Sequence, residues 1–187
     1  GFTNVMTDDL DFFIEKVNPK NPNQYLIDKV WKQMDRRVET IKIKDLPDTT
    51  IIIRTTENGP VISDLHPLLK NKNTVMTMAW TGHWETNEMD AFIGLNSMKN
   101  WKDFTEAVKH FGVPGQNIVY ADIDGNIGWR PAVYIPLRLD ADLFTPRDGT
   151  KSSNKWKGKV SFDKMPYLYN PPKGYIATAN NKTIGNS

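Results

Sequence analysis

The chain has 187 residues, about one domain's worth, with 24 Lys plus Arg against 22 Asp plus Glu for a formal charge of +2. That balance implies no nucleic-acid or acidic-partner field, 11% aromatics with six Trp argue against disorder, and no run approaches the ~18 apolar residues of a membrane span. Zero cysteines exclude disulfides, thiolate metal sites and a cysteine nucleophile.

In chain order, GFTNVMTDDLDFF (1–13) reads as a strand passing through a tight acidic turn. It opens without an initiator Met or leader, and the chain closes on an unfinished loop, so both ends read as cuts within a larger protein. PNQYLIDKVWKQM (22–34) reads as a short helix or an irregular excursion. RVETIKI (37–43) alternates, TTIIIRTT (49–56) is β-branched, ENGPVIS (57–63) carries an Asn-Gly-Pro turn, and TVMTMAW (74–80) alternates again. ETNEMDAFIGLNSM (85–98) has helical apolar spacing at Met89, Phe92, Ile93 and Leu95. NWKDFTEAVKHF (100–111) is a clearer helix, capped by Asn100, with Trp101, Phe104, Val108 and Phe111 on one face. NIVYADIDGNIGWRPAVYIPLR (117–138) is a hairpin closed by Asp124-Gly125, and 139–160 is a long polar loop. No repeat or dividing linker is visible; the class is α+β, strand-rich.

His66, His83 and His110 are scattered without metal spacing, and no Gly-x-Ser-x-Gly elbow, P-loop or GxGxxG occurs. None of the serines has a nucleophile's setting, so the chain carries no self-sufficient catalytic apparatus. In TDDLD (7–11), Asp8 and Asp11 could offer hard oxygens to Ca²⁺; capping aspartates in a solvated turn are the simpler reading of so short a pattern. Trp80 could line a pocket or fill a core. Asn180 and Asn181 end the apolar strand read in GYIATA, either as a surface turn or because one carboxamide is held at the strand end for hydrogen bonding.

Three motifs in this order, GFTNVMTDDLDFF, YADIDGNIGW…IPLR and GYIATANN, resemble the penicillin acylase family of N-terminal-nucleophile amidohydrolases. RTTENGPVIS between them is also similar, with Asn58 where many members carry His. The resemblance covers essentially all 187 residues and corresponds to an internal piece of the large (β) chain. It implies a strand-rich portion of an αββα sandwich and a parent that cleaves a secondary amide. An autoproteolytically exposed N-terminal serine would form the acyl-enzyme, with its own α-amine as base. That serine would lie upstream of Gly1, so the isolated chain is expected to be inactive.

By the same resemblance, Asn4 supplies a backbone oxyanion donor and Asn180 a side-chain one. Trp80, Gln116 and Phe2 match or neighbour acyl-pocket positions. With Gln116 where phenylacetyl-specific members have an aliphatic residue, an N-acyl homoserine lactone or acylated peptide is as admissible a substrate as penicillin G. A structural Ca²⁺ would fall on Asp8, the Leu10 carbonyl, Asp11 and a carbonyl near Pro146. The implied partners are a small-molecule amide and a small (α) chain of the same processed precursor, with no nucleic acid or membrane; the implied compartment is the periplasm or the exterior. The alternative is a non-catalytic β-rich binding or interaction domain, in which the asparagines form a turn and the tryptophans grip a ligand.

Overall fold

The computed structural model describes residues 1–139 and 144–181. Its first strands are β1 (Phe2–Asn4), β2 (Leu10–Asn18), β3 (Asn21–Ile27), β4 (Val30–Gln33), β5 (Asp35–Ile41) and β6 (Thr49–Thr56). Then come β7 (Gly59–Pro60), β8 (Thr74–Trp80), α1 (Glu88–Ser97), α2 (Trp101–Val108), β9 (Gln116–Ala121), β10 (Ile127–Ala132), β11 (Arg147–Asp148) and β12 (Leu168–Tyr169). The strand-rich α+β class expected from the sequence is the class observed. These elements form two compact units built from interleaved segments. One comprises Gly1–Asp9, Thr81–Leu137 and the chain from Gly158 onward; the other comprises Leu10–Trp80 and Arg138–Lys157.

The first unit is an antiparallel sheet in the order β1-β9-β10-β12 with two helices packed on it. The hairpin β9–β10 closes where the sequence placed it. Asp122 organises the turn by accepting the Tyr120 hydroxyl at 2.7 Å and the Asn126 N–H at 2.9 Å, and Gly125 supplies the positive φ of 83°. Helix α2 starts where Asn100 Oδ1 accepts the Asp103 N–H at 3.0 Å. Its apolar face delivers Phe104 and Val108 into a core with Ala91, Phe111, Ile118, Tyr120 and Ala132. Trp101 stacks on Phe104 and Tyr169 at 5.1 and 4.9 Å and lies so close to Gly128 that a Cβ there would meet its ring at 2.1 Å.

The second unit is organised by β2. It pairs antiparallel with β8 over Leu10–Lys16, continues onto β3 at Val17–Asn18 and pairs parallel with β11 at Phe13–Ile14. The stretch 22–34, expected as a helix or irregular excursion, is instead the hairpin β3–β4. Its two-residue turn is Asp28-Lys29, both at positive φ (46° and 68°), which matches the twist of the flanking strands. Tyr25 and Ile27 from this hairpin join Val17, Met34, Val61 and Val75 in the unit's core. Strands β5, β6 and β7 make a separate three-stranded sheet. The polar stretch 139–160 carries β11 and the 3₁₀ turn Ser152–Asn154, and its residues 140–143 lie outside the described residues.

Strand β2 buries Asp11, Phe13, Glu15 and Val17 on one face, so two carboxylates point inward. Glu15 is fully buried. Its Oε1 accepts the hydroxyls of Thr56 at 2.5 Å and Thr77 at 2.8 Å and the Asn58 amide at 3.3 Å, while Oε2 has no partner among the described residues. Desolvation pushes its carboxyl above the ordinary value of 4.5, against the opposing pull of those three donors. The native state therefore holds the proton more tightly than the unfolded chain, and stability falls as pH rises from about 4.5 through the raised folded value. Glu15→Gln keeps an oxygen for the three donors and carries no charge. Its melting temperature relative to wild type is expected to improve as pH rises above about 4.5 and to level off once the raised folded value is passed. A difference that does not vary with pH would show that Glu15 does not titrate in that window.

Candidate functional site

Strand β1 is three residues long and lies at the sheet edge, with β9 beside it. The Val119 N–H donates to the Gly1 carbonyl at 3.0 Å and the Val5 N–H to the Gly115 carbonyl at 3.1 Å. Residues of that parity face β9, so alternation turns the backbone N–H of Phe2 and Asn4 away from the sheet. An outward N–H on an edge strand is a donor in need of an acceptor. At Asn4 the acceptor is the Asn180 side chain, whose Oδ1 lies 2.9 Å away across 176 residues of sequence.

The two adjacent asparagines do different things. Asn181 bends back on its own turn: its N–H donates to the Ala179 carbonyl at 2.7 Å, and its Oδ1 accepts the Ala179 N–H at 3.0 Å. Asn180 reaches outward to β1. The stretch leading to them, expected as a strand, makes no ladder among the described residues, so the outward reach comes from the turn itself. A third amide extends the chain of bonds, because Gln116, opposite Asn4 in β9, donates from Nε2 to Asn4 Oδ1 at 2.9 Å.

Gln116 also lines an open cavity of about 520 Å³ with Phe2, Phe92, Phe111, Val113, Pro114 and Glu88. Its wall is aromatic: Phe92 meets Phe2 at 6.2 Å and Phe111 edge-on at 5.8 Å. Phe2 and Phe92 remain 49% and 43% exposed, so apolar surface is there to be covered. Glu88 brings a carboxylate to this lining, engaged by backbone donors. Its Oε1 accepts the N–H groups of Gly112 at 3.1 Å and Val113 at 3.0 Å. Burial alone would raise its pKa; the Val113 N–H, the Thr86 hydroxyl and the other backbone donors outweigh that and hold the carboxyl below its usual range. The residues singled out as substrate contacts therefore divide: Phe2 and Gln116 share this cavity, and Trp80 sits at the end of β8 opposite Leu10 in the second unit.

Among the residues singled out for metal binding, Leu10, Asp11 and Pro146 all belong to the second unit. The rung Arg147–Phe13 between β11 and β2 brings Pro146 alongside the segment that begins at Leu10. Asp11 is buried, and its Oδ2 accepts Arg138 Nε at 2.8 Å, lies 3.3 Å from Arg147 Nε and accepts the Trp156 indole N–H. Its Oδ1 accepts no hydrogen bond from a described residue. Asp8 belongs to the first unit. Among the described residues, no three His, Asp or Glu side chains cluster as a metal site would require. Arg147 and Trp156 carried no signal in the sequence, since neither stands in a motif; Arg138 closes the IPLR motif, where only its strand context was read.

The family model of penicillin amidase matches residues 1–187. Penicillin G acylase of Escherichia coli is 30% identical over 185 residues, which is 97% of this chain and 21% of that protein. The acyl-homoserine lactone acylase QuiP of Pseudomonas fluorescens strain Pf0-1 is 24% identical over 98% of this chain and 22% of that protein. The solved structure of a thermostable penicillin G acylase from Alcaligenes faecalis superposes with a TM-score of 0.85 at 30% identity, over 98% of this chain and 33% of that one. The chain thus spans about a fifth of the length of these curated relatives.

Removing Asp11 takes away the carboxylate to which Arg138 and Trp156 donate and with which Arg147 makes an ion pair. Breaking a buried ion pair from one side costs about 3–5 kcal/mol, so Asp11→Ala is expected to lose stability on that scale in chemical denaturation. A loss of under about 1 kcal/mol, the scale of an exposed pair, would show that the arginines find equivalent partners without it.

Proposed function

The chain belongs to the penicillin amidase family, and on that premise we propose that it contributes the oxyanion donors and part of the acyl pocket of an amide-hydrolysing acylase. The observation that carries this reading is the run of amides Gln116–Asn4–Asn180, which joins an apolar cavity to an outward-facing backbone N–H. The acyl group of the substrate enters the cavity past Phe2 and Gln116. Its carbonyl oxygen comes to lie against the Asn4 N–H, and the reacting serine and its α-amine base are supplied from outside these 187 residues. Attack on the carbon moves charge onto that oxygen, and the donors stabilise it most when the charge is greatest.

The Asn180 amide now meets the Asn4 N–H with its oxygen. A substrate oxygen taking that place displaces Oδ1, and rotation of the carboxamide brings Nδ2 round as the second donor. The parent acts, in this reading, as a processed precursor of a small and a large chain in the periplasm or outside the cell. A largely apolar wall that holds the Gln116 amide and a backbone-engaged Glu88 suits an acyl chain that carries a polar atom near its carbonyl.

A structural Ca²⁺ is part of the same proposal. Asp11, the carbonyls of Leu10 and Pro146, and Asp8 are the residues that would hold it. Support comes from the neighbouring strands that carry Leu10, Asp11 and Pro146 and from the Asp11 oxygen that takes no hydrogen bond from a described residue, the other being fixed by arginine. The ion would supply charge and rigidity away from the reacting atoms. Asp11→Ala does not test it cleanly, because that change also strips two arginines of an ion-pair partner. Asp8→Ala does: chelation is expected to lower the melting temperature of the full-length protein and to leave that of Asp8→Ala unmoved. Equal shifts in both would remove Asp8 from the ligands.

Asn180→Ala in the full-length protein is expected to lower kcat by ~10²–10³ with KM little changed, the mark of an interaction made in the transition state. Asn180→Asp is expected to be at least as damaging. Its carboxylate still accepts from the Asn4 N–H but cannot donate, and it repels the oxyanion. Asn181→Ala, which loosens a turn, should cost far less. Unchanged kcat in Asn180→Ala would sink the oxyanion assignment.

Gln116→Ile makes the cavity wall wholly apolar apart from the capped Glu88 and releases Asn4 Oδ1. Relative kcat/KM is expected to move toward unsubstituted alkyl and aryl acyl groups and away from oxygenated ones by about ten-fold, the worth of one hydrogen bond. An acyl-chain panel with an unaltered ranking would exclude Gln116 from the pocket.

A further inference from the structure

We infer that Asn117 is a positioning residue that fixes the Asn4 N–H through a buried clamp; the inference rests on the oxyanion reading above. Asn117 is completely buried, in β9 opposite Thr3. Its Nδ2 donates to the Asn4 carbonyl at 3.1 Å and to the Thr3 hydroxyl at 3.2 Å, so it grips the edge strand on both sides of the peptide that carries the Asn4 N–H. Its Oδ1 accepts the Trp129 indole N–H at 2.9 Å, from the neighbouring strand β10.

The indole decides which way the amide faces. An indole N–H can only donate, so it requires an oxygen, and that leaves the NH₂ end of Asn117 for the two acceptors on β1. Turned over, the amide would set its NH₂ against the indole N–H and its oxygen against the Asn4 carbonyl. Trp129 is itself buried, so this orientation is held by packing.

The clamp meets a need particular to β1. A three-residue edge strand is held in the sheet along one side, and nothing in that ladder fixes the tilt of its outward peptides. An aliphatic residue would fill the space of Asn117 without the desolvation cost of an amide, but it would leave Thr3–Asn4 free to rock. A donor that must meet a developing oxyanion tolerates little rocking. Displacement by about 1 Å costs of order 10² in rate, and outer supporting partners typically matter by ~10–100-fold.

The test uses the full-length protein with Asn117→Leu, Trp129→Phe and Asn180→Ala, each checked by thermal melting. Asn117→Leu is expected to lower kcat ~10–100-fold with KM within about three-fold, since the acyl pocket is intact. Trp129→Phe keeps one aromatic ring in the core while removing the orienting N–H, and a smaller loss of kcat, about three- to ten-fold, is expected. If Asn180→Ala lowers kcat while folded Asn117→Leu and Trp129→Phe do not, the positioning role is overturned and the oxyanion reading stands. Should Asn117→Leu fail to fold, Trp129→Phe decides, and an unchanged kcat overturns the inference. If all three retain kcat, the oxyanion reading falls and the inference falls with it.

Discussion

An extended strand can give its backbone groups to only one neighbour on each side, and the register of β1 against β9 determines which groups are left over. With Thr3 opposite Asn117, the odd residues of β1 are committed to the sheet and the Asn4 N–H is not. The other candidate features depend on that parity. Asn180 comes to the edge because a donor is there, Gln116 reaches Asn4 because the two are cross-strand partners, and Phe2 shares the cavity because it lies on the same face as Asn4. A slip of one residue would offer the Thr3 N–H instead and send Phe2 and Asn4 to the opposite face.

Register of this kind needs pins, and here they are polar and buried. Asn117 bonds Thr3 and Asn4 with its NH₂ and Trp129 with its oxygen. In the second unit, Glu15 collects Thr56, Thr77 and Asn58 from β6, β8 and the β6–β7 turn. Asp11 collects Arg138, Arg147 and Trp156 from the segment after β10. Apolar contacts alone tolerate a shift with modest loss, whereas a buried polar group stripped of its partner loses its full desolvation cost. The polar interior thus discriminates between alignments that a hydrophobic core would accept.

Sequence logic reached the elements whose signals are local. The Asp124-Gly125 turn, the β-branched run of β6, the alternation of β8 and the Asn100 cap all work within a few residues, and each stands where local rules put it. Asp28-Lys29 did not announce a turn because neither residue prefers positive φ; pairing of Tyr25 and Ile27 into the core forces it. The inward face of β2 was hidden for the opposite reason. Carboxylates such as Asp11 and Glu15 ordinarily face solvent, and partners 41 to 145 positions away accompany them in the interior. At the candidate site, the motifs singled out Asn4, Gln116 and Asn180, but Asn117 was one residue in an apolar hairpin. Its role exists only across three strands, and no spacing along the chain encodes that.

What separates Asn180 from an ordinary turn residue is the division of labour with Asn181. A turn needs one side chain to satisfy its backbone, and Asn181 does that alone by bonding back to Ala179. Asn180 is then surplus to the turn and spends its oxygen on a donor 176 residues away. A carboxamide suits that position better than either isostere. Its oxygen can satisfy the edge N–H when no ligand is present, so the donor is not left exposed to wasteful pairing with another strand edge. Its nitrogen can take part when an acceptor arrives between the two. A carboxylate performs only the first task, and an aliphatic side chain neither. Both states rest on one rotation about the terminal bond, a broad two-fold torsion with a low barrier, so exchanging one for the other asks nothing of the backbone that Asn117 holds still.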